Sequence, residues 1–314
     1  AMNKHAMKIL GAALVLAAFL ASCASVSLKD MTDDELVAAG VQKWNSGKTE
    51  DARPYWNNIR DEGVKTKYLS AFDQVDAMVL AFDEAEVVPD TAPEEQAAAF
   101  AKARKLHEAF PANLNKPENL KPKLRAGTVN VVKTRVRALK FDSARAFAKE
   151  ANAFLGDSDL YDPWLKEADA YAAIAAQERE ADQTLSAARA TEDFNDRIAA
   201  YENSTVVFKK VEDASGNELK TYGPESVLAA QNSRIRKKRA DSVVEKERQL
   251  RERAYSFRER IGEEFARQPD PSMVGNMKPQ DILNFNEARR ANIEAEYQEM
   301  LAFSKRYPAV IDKD

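Results

Sequence analysis

Side chains able to do covalent or metal chemistry are few in this chain and far apart. Among 314 residues there is one cysteine, Cys23, and two histidines, His5 and His107. The common nucleophile–base pairs use a histidine or a free thiol and zinc sites use several of both, so with His107 as the one histidine of the mature chain and Cys23 its one thiol neither is expected. It also lacks a Gly-x-Ser-x-Gly elbow, a phosphate loop and a dinucleotide fingerprint. The expectation is a protein without a catalytic set, a metal site or a cofactor. His107 shares a helical face with Phe100, Ala103 and Phe110, the pattern of a structural histidine. Asp157, Asp159 and Asp162 invite a calcium reading. An EF-hand loop needs glycine at its sixth position and glutamate at its twelfth, where Asp162 and Ala168 stand instead. A turn followed by a helix cap is the expectation. A glycan-cleaving enzyme working through carboxylates alone would need a buried glutamate of raised pKa in a cleft. The glutamates here sit at helix-surface spacing, and none is singled out.

Two groups of residues point to binding instead. Arg234-Ile235-Arg236-Lys237-Lys238-Arg239 is a dense basic run inside a predicted helix. It reads either as a contact for anionic lipid headgroups, cell-wall polymer or an acidic partner, or as a solvated face balanced by Asp241, Glu245 and Glu247. Arg236, Lys237, Lys238 and Arg239 are the basic candidates for partner binding. Trp44 and Tyr55 are the aromatic candidates, as residues near a helical groove. Trp44, Trp56 and Trp164 also suit plain helix packing.

The N-terminal residues say where such binding would occur. Lys4, His5 and Lys8 precede an unbroken apolar run from Ile9 to Ala21. That is the layout of a secretory signal, shorter than the ~20 residues of a membrane-spanning helix. The run ends Leu20-Ala21-Ser22-Cys23, which resembles the lipobox of bacterial lipoproteins. The resemblance implies removal of residues 1–22 and acylation of Cys23, leaving 23–31 as a lipidated tether. Several acyl chains, at ~0.8 kcal/mol per buried methylene, would anchor firmly. The implied location is the cell envelope, facing the periplasm, with the outer membrane favoured over the inner and surface exposure the other option.

Downstream of the tether the sequence reads as helix. Glycine is scarce, at 10 residues, while Ala, Leu, Glu, Lys and Arg dominate. The net charge of −4 does not argue for a nucleic-acid partner, and none is expected. Thr32-Asp33-Asp34-Glu35 and Thr91-Ala92-Pro93-Glu94 have the form of capping boxes. Val64, Tyr68, Phe72, Val75, Val79 and Phe82 form one amphipathic stripe. Residues 111–122, with Pro111, Pro117 and Pro122, read as a turn-rich connector and a first candidate boundary. Asp162-Pro163-Trp164 predicts a helix start capped by Asp162. Residues 205–222 are the one strand-like stretch, a small β-hairpin around Ser215-Gly216-Asn217 or a helix ending near Lys210. From Glu225 to about Arg267 a single long helix or a bent pair is expected. Residues 268–279 are a linker, and a last helix starts at Pro279.

Gly40, Ala52 and Trp56 match in spacing the small, small and aromatic positions of a tetratricopeptide repeat, so the hairpin around them resembles that family. Ile59 is bulkier than the pattern asks. Phe141, Ala144 and Ala151 repeat the resemblance but depart from it at Val132 and Ala148, and Phe194 to Tyr201 does so with Arg197 in place of alanine. The fragments do not recur at the family's ~34-residue period. What the resemblance implies is an all-α, right-handed solenoid of degenerate helical hairpins over 32–222, with a long-helix region over 223–314. It further implies a protein-binding scaffold contacting an envelope protein or complex. An elongated spacer or adhesin-like lipoprotein that self-associates is the alternative reading.

Overall fold

The computed structural model of the chain describes residues 27–311, and Cys23 with the segment before it lies outside them. Every regular element among the described residues is helical. None of these helices is long and apolar enough to cross a membrane. The chain divides into two compact units. One holds the described residues up to Thr134 together with Ala144–Leu160; the other holds Arg135–Ser143 and Tyr161 onward.

The first unit opens with α1 (Asp33–Asn45), α2 (Thr49–Asn57), α3 (Glu62–Val87) and α4 (Pro93–Ala109). It is completed by most of α5 (Pro122–Arg137) and α6 (Phe141–Leu155). The capping box at Thr32 forms as its residue types require. Thr32 Oγ1 accepts from the Glu35 N–H, and the Glu35 carboxylate accepts from the Thr32 N–H at 2.8 Å. Asp33, one residue on, accepts the backbone N–H groups of Arg60 and Asp61 at 3.0 and 2.9 Å. These bonds tie the start of α1 to the loop before α3 and hold the Asp33 carboxyl below its ordinary range. The second capping box does not form: α4 starts at Pro93 with Ala92 at the N-cap and no side-chain bond to it. Pro54 sits inside α2, which begins at Thr49, so one intrahelical donor is missing there.

Aromatic rings fill the centre of this unit. Trp44 meets Trp56, Phe72 and Phe110 at centroid distances of 5.5, 5.1 and 6.2 Å. Farther along, Phe100 packs on Phe147 at 5.4 Å and Phe154 at 6.0 Å. Each fully buried ring contributes about 1.5–3 kcal/mol.

The second unit is built on α7 (Asp162–Ala190), α8 (Phe194–Tyr222) and α9 (Val227–Ala266), followed by α10 (Pro271–Val274), α11 (Pro279–Arg306) and α12 (Pro308–Ile311). Ile174, Leu185, Tyr201, Phe208, Leu228 and Ile235 bury a core among α7, α8 and α9. A second core joins α8, α9 and α11 through Ile198, Leu250, Phe257 and Phe303. Asp162 is the first residue of α7 rather than its cap, a place taken by Tyr161, and its carboxylate pairs with Lys166 at 2.9 Å.

Residues 205–222 are neither a β-hairpin nor a helix that stops near Lys210. They continue α8 without a break to Tyr222. Val206 and Val207 favour strand locally, but Ser204, Phe208, Val211 and Ser215 recur at helical spacing and are all buried. Packing decides against propensity. Ser215 and Gly216, read as a turn, bring a slim face to α9, where the Asn232 amide lies near Gly216. The helix ends at Gly223, whose φ of 83° is one that glycine adopts without strain.

Candidate functional site

A cleft in the first unit starts at the turn between α1 and α2. That turn closes as a Schellman motif: the Gly47 N–H bonds to the Trp44 carbonyl at 3.0 Å and the Lys48 N–H to the Lys43 carbonyl at 3.1 Å. Gly47 takes φ 81°, and the exposed side chains of Asn45, Ser46 and Thr49 are set around it.

Residues 111–122 form the opposite wall. The sequence suggests a boundary there, but this connector is a strap within the unit. Asn45 and Asn115 clasp each other twice. The Asn115 N–H donates to Asn45 Oδ1 at 2.7 Å, and Asn115 Nδ2 donates to the Asn45 carbonyl at 3.1 Å. Asn45 Nδ2 donates to the Asn113 carbonyl at 3.0 Å, and Trp44 Nε1 to the Asn115 carbonyl at 2.9 Å. Asn113 Nδ2 reaches the Tyr68 hydroxyl at 2.9 Å.

Between turn, strap and α3 lies an open groove of about 570 Å³. Trp44 and Phe72 form its aromatic floor, and the Arg53 guanidinium lies 3.8 Å from the Phe72 ring centroid. Arg53 also pairs with Glu50 at 3.1 Å. Lys116, Asp76 and Glu118 complete a rim that carries both signs of charge. Such a groove can hold an extended chain by stacking and rim contacts; it holds no nucleophile beside a base.

His107 stands behind the strap, as the structural histidine its spacing suggests. Its ring meets Phe154 at 5.0 Å and Phe82 at 6.1 Å, and Lys116 Nζ lies 3.5 Å from Nδ1. Burial, then the charges of Lys116 and Lys121, push its pKa down from 6.5 to about 4.

The aromatic candidates separate. Trp44 is 4% exposed, so its ring is mostly core with one edge on the groove. Tyr55 is half-buried on α2 and outside the groove lining. The basic candidates lie in the other unit, and neither sequence reading describes how most of them are used. Arg236 and Arg239 both reach Glu212 of α8, at 3.2 and 2.7 Å. Lys238 bridges Glu178 and Asp182 of α7 at 2.8 and 2.6 Å. Arg234 grips Glu178 through two nitrogens at 2.8 and 2.7 Å. These cations zip α9 to its neighbours; Lys237 is exposed.

Glu178 is a buried glutamate, 6% exposed at its side chain. Its carboxyl is held below the ordinary range by the Arg234 hydrogen bonds and Lys238, the opposite of what a general acid needs. Glu167, also buried, accepts the Val227 N–H at 2.9 Å and caps α9 from across the interface. Asp157 pairs with Arg125, and Ser158 bonds to Asp159. Among the described residues no cluster of histidine, cysteine and carboxylate side chains could hold a metal ion.

Sequence reasoning missed the strap and the carboxylates on α7 and α8. The signal for the strap lies in Asn113 and Asn115, inside the stretch 111–122 that reads as a turn-rich connector. Comparison with family models, with curated proteins and with solved structures finds no match.

Proposed function

We propose that the protein is a membrane-tethered scaffold of the cell envelope that holds an extended segment of a protein partner in the Trp44–Phe72 groove. The observation that carries this reading is the groove itself. It is about 570 Å³, in the range of binding clefts, with an aromatic floor, a two-sign rim and walls fixed by the asparagine clasp. The tight Gly40–Trp56 packing of α1 on α2 supports the likeness to tetratricopeptide hairpins. In this reading the hairpins follow one another as a degenerate right-handed solenoid whose concave side receives the partner, and a lipid on Cys23 keeps the assembly at the membrane. Arg53 and the open edge of Trp44 meet the bound segment, Asn115 holds the strap, and catalysis plays no part.

The test is crosslinking in cells with a photoreactive residue in place of Asp76 on the groove rim, against one in place of exposed Glu259. A dominant envelope protein captured from Asp76 alone is expected. The same background from both positions would reject the groove as a docking site.

A second reading, an elongated spacer that self-associates, is favoured by α9. Its 40 residues span about 60 Å at 1.5 Å per residue. Sedimentation velocity of the full chain separates the two readings: a concentration-dependent dimer supports the spacer, and a monomer leaves the scaffold.

A further inference from the structure

Where α5 ends, the chain turns on a leucine in a place that suits glycine. The Leu139 N–H bonds to the Val136 carbonyl at 2.9 Å and the Lys140 N–H to the Arg135 carbonyl at 2.8 Å. This is a Schellman closure whose left-handed residue is Leu139, at φ 59°. Glycine takes that conformation freely, and a residue with a Cβ does not. Burial does not offset the strain, because Leu139 is 50% exposed. Its side chain instead forms part of the wall of a cavity in the second unit.

The cavity holds about 300 Å³ between the end of α5, α7 and the start of α9, the size of a small-molecule site. Leu139, Tyr171 and Val227 give it an apolar side. Phe141 packs on Tyr171 with ring centroids 5.3 Å apart. Arg137 and Glu225 also line it, with side chains 37 and 84% exposed and 3.5 Å between them. So open a pair contributes little to the fold, and each partner can turn to a ligand. Gln231 is on the wall too and is fully buried. Its Nε2 donates to the Tyr171 carbonyl at 3.2 Å. A carbonyl only accepts, so this bond fixes which end of the amide faces Tyr171. Gln231 Oε1 is left buried with no hydrogen-bond partner among the described residues. A buried acceptor of that kind is costly until a donor meets it.

We propose that this cavity binds an aliphatic α-amino carboxylate, as a free amino acid or as the last residue of a peptide. The cavity presents one group for each part of such a ligand. Arg137 takes the carboxylate through its forked guanidinium. Gln231 Oε1 accepts an N–H, and Glu225 draws the ammonium where the amine is free. The aliphatic side chain rests on Leu139, Tyr171 and Val227. Arg234 reaches the same cavity, but both its Nε and an Nη are given to Glu178, so Arg137 is the cation left for an anion. One guanidinium beside one carboxylate suits a ligand with a single negative charge rather than a phosphate. The inference concerns the second unit and stands apart from the groove of the first.

The experiment is isothermal titration of the full chain with four compounds. L-leucine has every group; leucinamide lacks the carboxylate; N-acetyl-leucine keeps an N–H without the ammonium; N,N,N-trimethyl-leucine keeps both charges without an N–H. Saturable binding of L-leucine or N-acetyl-leucine is expected, with leucinamide and the trimethyl compound tenfold or more weaker. Tighter binding of L-leucine would assign the site to a free amino acid; equal or tighter binding of N-acetyl-leucine would assign it to a peptide end. Arg137→Gln should cost tenfold or more, and Lys237→Glu, elsewhere on α9, should bind as the parent does. Leu139→Gly guards against misfolding: glycine relieves the left-handed strain, so the urea midpoint should hold or rise while affinity falls threefold or more. Absence of saturable heat with both L-leucine and N-acetyl-leucine would overturn the proposal. So would leucinamide binding as tightly as the acids, or parental affinity in Arg137→Gln.

Discussion

The indole of Trp56 lies directly on Gly40, so close that a Cβ at residue 40 would stand 2.6 Å from Cδ1 and 2.7 Å from Cε2. Trp56 is fully buried and cannot swing outward without opening the α1–α2 interface. Gly40→Ala should therefore destabilise the first unit by about 2 kcal/mol or more, even though alanine favours helix by ~1 kcal/mol. Gly262 is the control, because a Cβ there meets nothing within 4 Å. Gly262→Ala should stabilise by about 0.5–1 kcal/mol. Urea unfolding midpoints of the two variants should move in opposite directions.

Glu178 gives a second prediction. It is buried against Arg234 and Lys238, so Glu178→Gln leaves two cations facing an amide. Removing one partner of a buried pair costs several kcal/mol, less when the other partner reaches solvent. Arg234 is 46% exposed, so a loss of about 2 kcal/mol is expected. The folded carboxyl has a lowered pKa. Its contribution is complete above the unfolded value near 4.5 and is lost as pH falls through the folded value. The thermal midpoint of the parent should drop on acidification through this range by more than that of Glu178→Gln.

The cap of α9 yields a third. Ser226 makes no side-chain bond to the helix it precedes, and Glu167 of α7 supplies the acceptor to Val227 instead. Glu167→Ala should cost about 1 kcal/mol or more, typical of a lost cap. Amide exchange should rise most at the first turn of α9, and an unchanged rate at Val227 would show that the carboxylate is not the cap.

Local signals carried far in this chain and distant ones did not. Thr32 and Glu35 find each other because both lie within one turn; of the α3 stripe Tyr68 and Phe82 are buried, while Ala71, Met78, Ala81 and Ala85 make up the rest of the buried face. Glycine scarcity likewise made the all-helical class readable. The roles of Asn113 and Asn115 depend on Asn45, some seventy positions away, and nothing near them in sequence marks that pairing. The basic run misled for a related reason. Its nearest carboxylates in sequence, Asp241 and Glu245, are not the partners; Glu178, Asp182 and Glu212 are, and they come from other helices. The strand-like residues 205–222 were misread because β-branched residues outvoted a helical burial pattern that only α7 and α9 complete.

His107 provides the last prediction. Its ring is wedged between Phe82 and Phe154 with two ammonium groups nearby, and its pKa falls from 6.5 to about 4. The unfolded chain therefore binds more protons than the folded one between those values, so stability rises with pH across that window and is level above it. The side chain is partly open to solvent, which reduces the contribution to on the order of 1–2 kcal/mol. Protonation would also set a third positive charge against Lys116 and Lys121, and Lys116 belongs to the groove rim. His107→Gln removes the titration while keeping a polar group of similar reach. Urea midpoints measured from pH 4 to 7 should climb in the parent and climb less in the variant. Equal slopes would mean that His107 titrates alike in the folded and unfolded chains, and that the acid sensitivity belongs to carboxylates such as Glu178.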